Sequence, residues 1–232
     1  MTDFADRQVI VTGGAGALGA AVVGALLERG ARCRVPYRRA ADAERYAHRD
    51  HARLTLVAAG DLADEAAVAR VYDGIGPLWA SIHLAGGFAA APIADTDKAA
   101  LTAQLDANLV SCALCCRAAV AAMRADGGRI VNVAARPALE WRAGAGMTAY
   151  AVSKAGVAAL TAALAEEVVS AGILVNAVAP SIMDTPANRK AMPKAEHALW
   201  PTVNEVAATI LFLASPANAV TRGAVVPVYG KS

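Results

Sequence analysis

The sequence predicts an α/β domain built on a doubly wound, seven-stranded parallel sheet with helices on both faces, in three layers. Three observations carry this. Seven short apolar runs alternate with longer helical stretches rich in small residues. The runs are apolar throughout instead of alternating with polar residues, as in strands covered by helices above and below. The first run passes directly into a glycine-rich turn that opens a helix, "VTGGAGALG".

The elements follow in order. "QVIVT" (Gln8 to Thr12) is the first strand, and "LGAAVVGALLERG" (Leu18 to Gly30) a helix stopped by Gly30. "RCRVP" is the second strand, "LTLVAAG" the third, and "DEAAVARVYDGIG" the helix after it. "ASIHLAGG" is a fourth strand running into a glycine pair. A long helix then spans "LTAQLDANLVSCALCCRAAVAAMRADGG", closed by Gly127 and Gly128. "RIVNVA" is the fifth strand, "TAYAVSKAGVAALTAALAEEVVSAG" a second long helix closed by Gly172, and "ILVNAVAP" the sixth strand. "VNEVAATILFLAS" is the last helix and "GAVVPVYG" the last strand. No repeat or linker interrupts this series, so residues 1–232 read as one domain. The segment from 181 to 201, rich in Pro, Met and polar residues, follows a carboxyl strand end, where ligands bind and a lid would lie.

Composition narrows the function. With 56% hydrophobic and 18% charged residues the chain has a globular profile. A net charge of +2, with acids and bases mixed, offers no basic face for nucleic acid. The N-terminus lacks a signal-peptide pattern. No apolar run reaches the ~18 residues of a membrane span, and the longest, Cys112 to Met123, is broken by Arg117. A cytoplasmic protein with a small-molecule substrate is expected, without a nucleic-acid or membrane partner. "CALCC" reads as a packed helix face, and His48, His51, His83 and His197 lack ligand spacing, so no metal is expected.

The glycine turn fits a nucleotide. Gly13, Gly14, Ala17, Leu18 and Gly19 border a tight turn where backbone can approach a pyrophosphate at the positive end of a helix. An acid after the second strand would select NAD by its ribose 2′-hydroxyl, whereas a basic residue accommodates the 2′-phosphate of NADP. This chain has Tyr37, Arg38 and Arg39, with no acid until Asp42, which favours NADP over NAD. Asp61, beside Leu62, is placed to accept from the adenine amino group, while Asp64 is the better helix cap.

Taken with "HLAGG" after the fourth strand, Asn108 in the long helix, "YAVSK", and "VNAVAPSIMDT" after the sixth strand, these motifs resemble the short-chain dehydrogenase/reductase superfamily of single-domain Rossmann type, over nearly the whole chain. The resemblance implies an NAD(P)-dependent oxidoreductase that moves hydride to or from a small carbonyl, imine or quinonoid substrate. Tyr150 would be the general acid. Lys154, one helical turn on, would hold the nicotinamide ribose and lower the tyrosine pKa. Asn108 would anchor a water reaching Lys154. Ala85, Gly86, Gly87 and Pro180 would border the cofactor, with Ile182 and Thr185 fixing its carboxamide. By the same analogy the two long helices, Leu101 to Ala125 and Thr148 to Ala171, would pair copies into a homodimer or homotetramer.

Several positions depart from the family pattern. Ala17 stands for the middle glycine, His83 and Leu84 for asparagines, and Ser181 for a glycine. Ala135 occupies the place of the family's serine, and no Ser or Thr lies between Asn132 and Met147. Thr148 reads as a helix cap. Loss of one such donor costs ~10²-fold or more where a ketone must be polarised. The serine-free segment, the loop "GGAGALG" and the stretch "MDTPANRKAMPKAEHALW" are similar to the dihydropteridine reductase branch, which reduces quinonoid dihydropterin. That branch prefers NADH and carries tryptophan where this chain has Phe88. Ala135, Phe88, Trp141, Met147, Met183 and Trp200 are expected to line the substrate pocket, with Arg136 and Arg142 available to a polar substrate. The remaining alternative is a nucleotide-binding regulator without turnover.

Overall fold

A computed structural model describes residues 3–123 and 127–232. Its centre is a sheet of β1 (Gln8–Thr12), β2 (Arg32–Tyr37), β3 (Leu54–Ala58), β4 (Leu78–His83), β5 (Gly128–Val133), β6 (Ile173–Pro180) and β7 (Val225–Val228). The strands lie in the order β3-β2-β1-β4-β5-β6-β7, and every pairing is parallel. The chain winds outward from β1 to β3, then returns to pair β4 with the other side of β1. Thr12 faces His83 across that seam. Direction reverses there, so a crevice opens outside the carboxyl ends of β1 and β4.

Alternation along each strand feeds two cores. Val9 and Val11 join α1 (Ala17–Glu28) and α8 (Val203–Ala214) through Val22, Leu26 and Ile210. Ile10, between them, joins α3 (Glu65–Tyr72), α5 (Ser111–Met123) and α6 (Thr148–Glu167) on the other face, through Val71, Cys116 and Val157. Period-two side chains buried on both faces are the physical origin of the unbroken apolar runs.

The structure adds detail that periodicity did not show. A short α2 (Ala40–Glu44) follows β2. The first long helix is composite: α4 (Lys98–Leu105), a π turn over Asp106–Val110, then α5. Its expected end at Ala125 falls outside the described residues. The segment 181–201 contains α7 (Pro186–Ala191), whose N-cap Thr185 accepts from the Asn188 amide. Thr148 is the first residue of α6 and not its cap. That position belongs to Met147, which makes no side-chain cap bond.

The helices Lys98–Met123 and Thr148–Glu167 are, by length and composition, apolar enough to cross a membrane. This corrects the reading from uninterrupted runs, because alanine raises average apolarity without producing a charge-free stretch. In the fold both helices cover the sheet, with Cys115, Met123, Val157 and Thr161 buried.

Candidate active site

The site begins with Thr12 at the end of β1. Its Oγ1 accepts from Ala85 N at 3.2 Å, and its carbonyl accepts from Leu84 N at 3.2 Å. Two strand exits are thereby fastened side by side. Gly13 follows at φ +67°, where a Cβ would stand 2.6 Å from Ala85 N. A Cβ on Gly19 would stand 2.2 Å from Gly13 O. Both glycines are demanded by close backbone approach, whereas the chain tolerates Ala17 between them because it opens α1. Gly14 packs against Val35, where a Cβ would meet the valine side chain at 2.5 Å. The N-cap of α1, Gly16, contributes no side-chain bond, and no acid lies in the first turn. The helix therefore presents free N–H groups and positive potential to an anion.

A groove runs from this turn in both directions. One arm, about 590 Å³, is lined by Gly13, Tyr37, Arg38, Asp61, Leu62 and Ala85, among others. The other, about 320 Å³, brings Gly13, Ala17, Leu18 and Gly19 together with Gly86, Gly87, Phe88, Asn108, Ala135, Tyr150, Lys154, Pro180, Met183 and Thr185. Ser181 and Asn188 also line it. Most of the expected cofactor and catalytic residues thus share one cleft, at the sheet's switch point.

At the far end of the first arm, Arg38 pairs with Asp61 at 3.2 Å, and the same carboxylate accepts from Ala63 N at 3.0 Å. Asp61 is therefore engaged within the chain. Asp64 caps α3 by accepting from Ala66 N. Arg39 folds back onto Asp42 at 2.9 Å; Asp42 borders this arm beside Arg38, whereas Arg39 itself is not part of the lining.

The second arm is organised by Asn108. The π turn carries it inward, as π turns often do at functional sites. Its Oδ1 accepts from Gly87 N, and its Nδ2 donates to Gly87 O and to Ser153 Oγ, each at 3.0 Å. Ser153 in turn donates to the Tyr150 carbonyl at 2.7 Å. Gly86 admits this contact: a Cβ there would lie 2.5 Å from Asn108 Oδ1. Lys154 Nζ donates to Val133 O at 2.8 Å. Burial lowers the Lys154 pKa to about 8. Burial also raises the Tyr150 phenol to about 12, in place of the lowering expected from its lysine neighbour. Phe88 stands edge-on to the Tyr150 ring, with centroids 4.9 Å apart. The arrangement can hold a protonated phenol in an aromatic corner beside a buried ammonium.

Other expected pocket residues lie elsewhere. Trp141 is 78% exposed, in a turn where its Nε1 donates to Ala138 O. It borders a shallow surface groove with Arg142 and Val152. Trp200 is buried against His197, with ring centroids 4.7 Å apart. Met147 makes a main-chain bridge with Ala91. Ile182 is 44% exposed beside the cleft. Arg136 is held by Glu140 at 2.7 Å and lies over the Tyr229 ring.

His83 is buried at the end of β4. It bonds Ser81 Oγ at 2.8 Å and Asn132 Oδ1 at 2.8 Å. Cys112 and Cys116 press against the same Asn132 oxygen. The Cys112 thiol is held low, first by the Cys116 thiol that faces it, and the Cys116 thiol is correspondingly pushed up. Ser153, the π turn and this cluster were missed in the sequence. A serine one residue before the lysine carried a signal, but an unspecific one.

Comparison with known proteins agrees with this geometry. The family model for short chain dehydrogenase matches residues 7–196. The cis-4-hydroxycyclohexanecarboxylate dehydrogenase of Sinomonas cyclohexanicum is 36% identical, over 98% of this chain and 96% of its own. The galactitol 2-dehydrogenase of Rhizobium johnstonii is 36% identical, over 96% and 93%. A solved short-chain dehydrogenase/reductase family oxidoreductase from Burkholderia thailandensis superposes with a TM-score of 0.88 at 31% identity, covering 97% of this chain and 92% of that one. ElxO, solved with NADP bound, shares the fold at a TM-score of 0.88 and 24% identity, over 97% and 98%. On the family match, the relatives and the fold together, this chain belongs to the short-chain dehydrogenase/reductase family of oxidoreductases.

Proposed function

We propose that the protein is an NADP-preferring reductase that delivers hydride to a small, already electrophilic substrate: an activated carbonyl, an imine or a quinonoid ring. The observation that carries this is the convergence of Tyr150, Lys154 and Asn108 in the cleft that also holds the glycine turn. The residues present fit a phosphorylated dinucleotide. Glycines at 13 and 19 let the turn close tightly on itself ahead of α1, α1 opens without an acid, and Arg38 lines the opposite end. Bound there, the cofactor would supply the hydride.

The chain's own part is to bind, orient and donate a proton. Tyr150, which burial raises to about 12, carries its proton at neutral pH and is the group that can give one to the substrate. Lys154, with a pKa near 8, is largely charged at neutral pH and can hold hydroxyl groups in the cleft. Asn108 fixes Gly87 on one side and Ser153, hence the Tyr150 main chain, on the other. Ala135 lines the cleft with a methyl group where the family pattern has a hydroxyl. A substrate whose acceptor atom must be polarised is poorly served there, and one that is reactive already is not penalised.

That methyl supports the narrower reading, reduction of a quinonoid dihydropterin. The test is consumption of NADPH, with NADH alongside, on quinonoid dihydropterin, an activated ketone and a cyclic imine. The expected result is turnover with at least one of them, lost in Tyr150→Phe while NADPH still raises the melting temperature of that variant. Full activity in Tyr150→Phe, or NADPH binding without turnover on any substrate, would overturn the proposal.

A further inference from the structure

Behind the cleft, four side chains from three elements meet at one point. His83 ends β4, Asn132 lies on β5, and Cys112 and Cys116 sit one turn apart on the same face of α5. All four are buried. His83 Nδ1 lies 2.8 Å from Asn132 Oδ1, Cys112 Sγ 3.3 Å from it, and Cys116 Sγ 3.5 Å from both that oxygen and His83 Nδ1. The ligating atoms of His83, Cys112 and Cys116 all fall within 4.8 Å of one another. Sequence spacing concealed this, since a loop, α4 and the π turn separate the histidine from the first cysteine.

As hydrogen bonds the cluster crowds one acceptor, the Asn132 Oδ1. Asn132 Nδ2 donates to Thr161 Oγ1 at 3.0 Å, which turns Oδ1 towards the cluster. His83 Nε2 faces Ser81 Oγ at 2.8 Å and Tyr72 OH at 3.3 Å. When either hydroxyl donates to Nε2, Nδ1 carries the proton. Three donors, one N–H and two S–H, then converge on one amide oxygen with two lone pairs.

We propose that His83, Cys112, Cys116 and Asn132 form a structural zinc site, with Zn²⁺ bound by Nδ1, two thiolates and Oδ1. A tetrahedral ion at ordinary Zn–N, Zn–O and Zn–S lengths spaces its donors about 3.3 to 3.8 Å apart. Three of the four measured separations lie at 3.3 or 3.5 Å, and the His83–Asn132 pair would open by about half an ångström. Binding is balanced: two S–H bonds break, two Zn–S bonds form, two protons pass to solvent, and the imidazole proton shifts from Nδ1 to Nε2 as Ser81 or Tyr72 turns to accept it, which leaves a neutral centre in the core. Nε2–H would then donate to Ser81 or Tyr72, the outer hydrogen bond that metal-bound histidines favour. With every donor buried, the ion must be taken up as the chain folds. Its effect would be to tie α5 to the ends of β4 and β5, one residue along β5 from Val133, whose carbonyl holds Lys154.

The test uses the full-length protein expressed in zinc-supplemented or cobalt-supplemented medium and passed over a chelating resin. The expected result is about one zinc per chain by elemental analysis, and in cobalt-grown protein an intense thiolate-to-cobalt charge-transfer band with visible tetrahedral bands. Cys112→Ser and Cys116→Ser should each weaken that band, and the double variant should abolish it. Wild-type protein that is well folded yet metal-free from both media, with all thiols titrating on unfolding, would overturn the proposal. Retained metal lacking the charge-transfer band, or a band unchanged in the double variant, would overturn it as well. The wild-type measurements decide even if the variants fail to fold.

Discussion

Lys154 donates to the main-chain carbonyl of Val133 at 2.8 Å, at the point where β5 ends and the serine-free segment begins. The ammonium is thus tied to the sheet and buried, one helical turn from Tyr150. Its position is paid for by desolvation, which is why its pKa falls to about 8.

That burial makes stability depend on pH. The unfolded lysine titrates near 10.5 and the folded one near 8, so between these values the unfolded chain binds more protons. Stability should rise as pH climbs through that window, and below it the buried charge costs stability in full. Lys154→Met should therefore be more stable than wild type at pH 7, by roughly 2 kcal/mol after allowing for the lost Val133 bond. The difference should shrink towards pH 10. Urea melts at the two pH values check this, and a variant less stable at pH 7 would contradict it. Reductase activity of the wild type should fall as pH rises through about 8, where Lys154 loses its charge.

Gly86 should not accept a side chain. A Cβ there would meet Asn108 Oδ1 at 2.5 Å and Lys154 Nζ at 3.4 Å. Gly86→Ala should lower kcat by about a hundredfold through displaced catalytic groups, and cost about 1–3 kcal/mol of stability. Gly86 also lines the first arm, so the KM for NADPH should rise too, but less than kcat falls, because Arg38 at the far end is untouched. Steady-state kinetics with cofactor varied separates the two.

Arg38 should set cofactor choice. Its pair with Asp61 is well exposed and worth little to stability. Arg38→Glu should leave the melting temperature unchanged while raising the KM for NADPH by about ten- to a hundredfold, since charged hydrogen bonds to phosphate are each worth about 1.5–3 kcal/mol. The KM for NADH should hold or fall. Equal losses with both cofactors would show that Arg38 does not meet the 2′-phosphate.

Ala135 has an extended backbone, φ −163°, and a methyl group on the cleft wall. Ala135→Ser should fit without strain and raise turnover of unactivated ketones by ~10²-fold. Turnover of a quinonoid substrate should stay nearly constant. A variant improved on both classes alike would mean that the missing hydroxyl does not govern substrate choice.

Much of this site was legible in advance because local chemistry demands it. Gly13 and Gly19 are glycines because backbone atoms press on them. Tyr150 and Lys154 share a cleft because one helical turn separates them. The tryptophans were not legible. Trp141 and Trp200 lie in similar polar segments, yet one lies open on the surface and the other is packed on His197. Loop direction depends on neighbours distant in sequence, such as the C-terminal turn at Gly230 that presses on Leu199 and Pro201.

The sequence by itself determined the layers and their order. Strands buried on both faces must be apolar, helices must pack on them, and a glycine turn after the first strand puts an anion site at the crevice. Tertiary structure alone decided which side chains share a space. It carried Asn108 inward on a π turn, bound Ser153 to it, and set His83 against Cys112 and Cys116. The reason is physical: periodicity records which face of an element is buried, whereas a contact between strands and helices depends on register and crossing, which no single segment encodes.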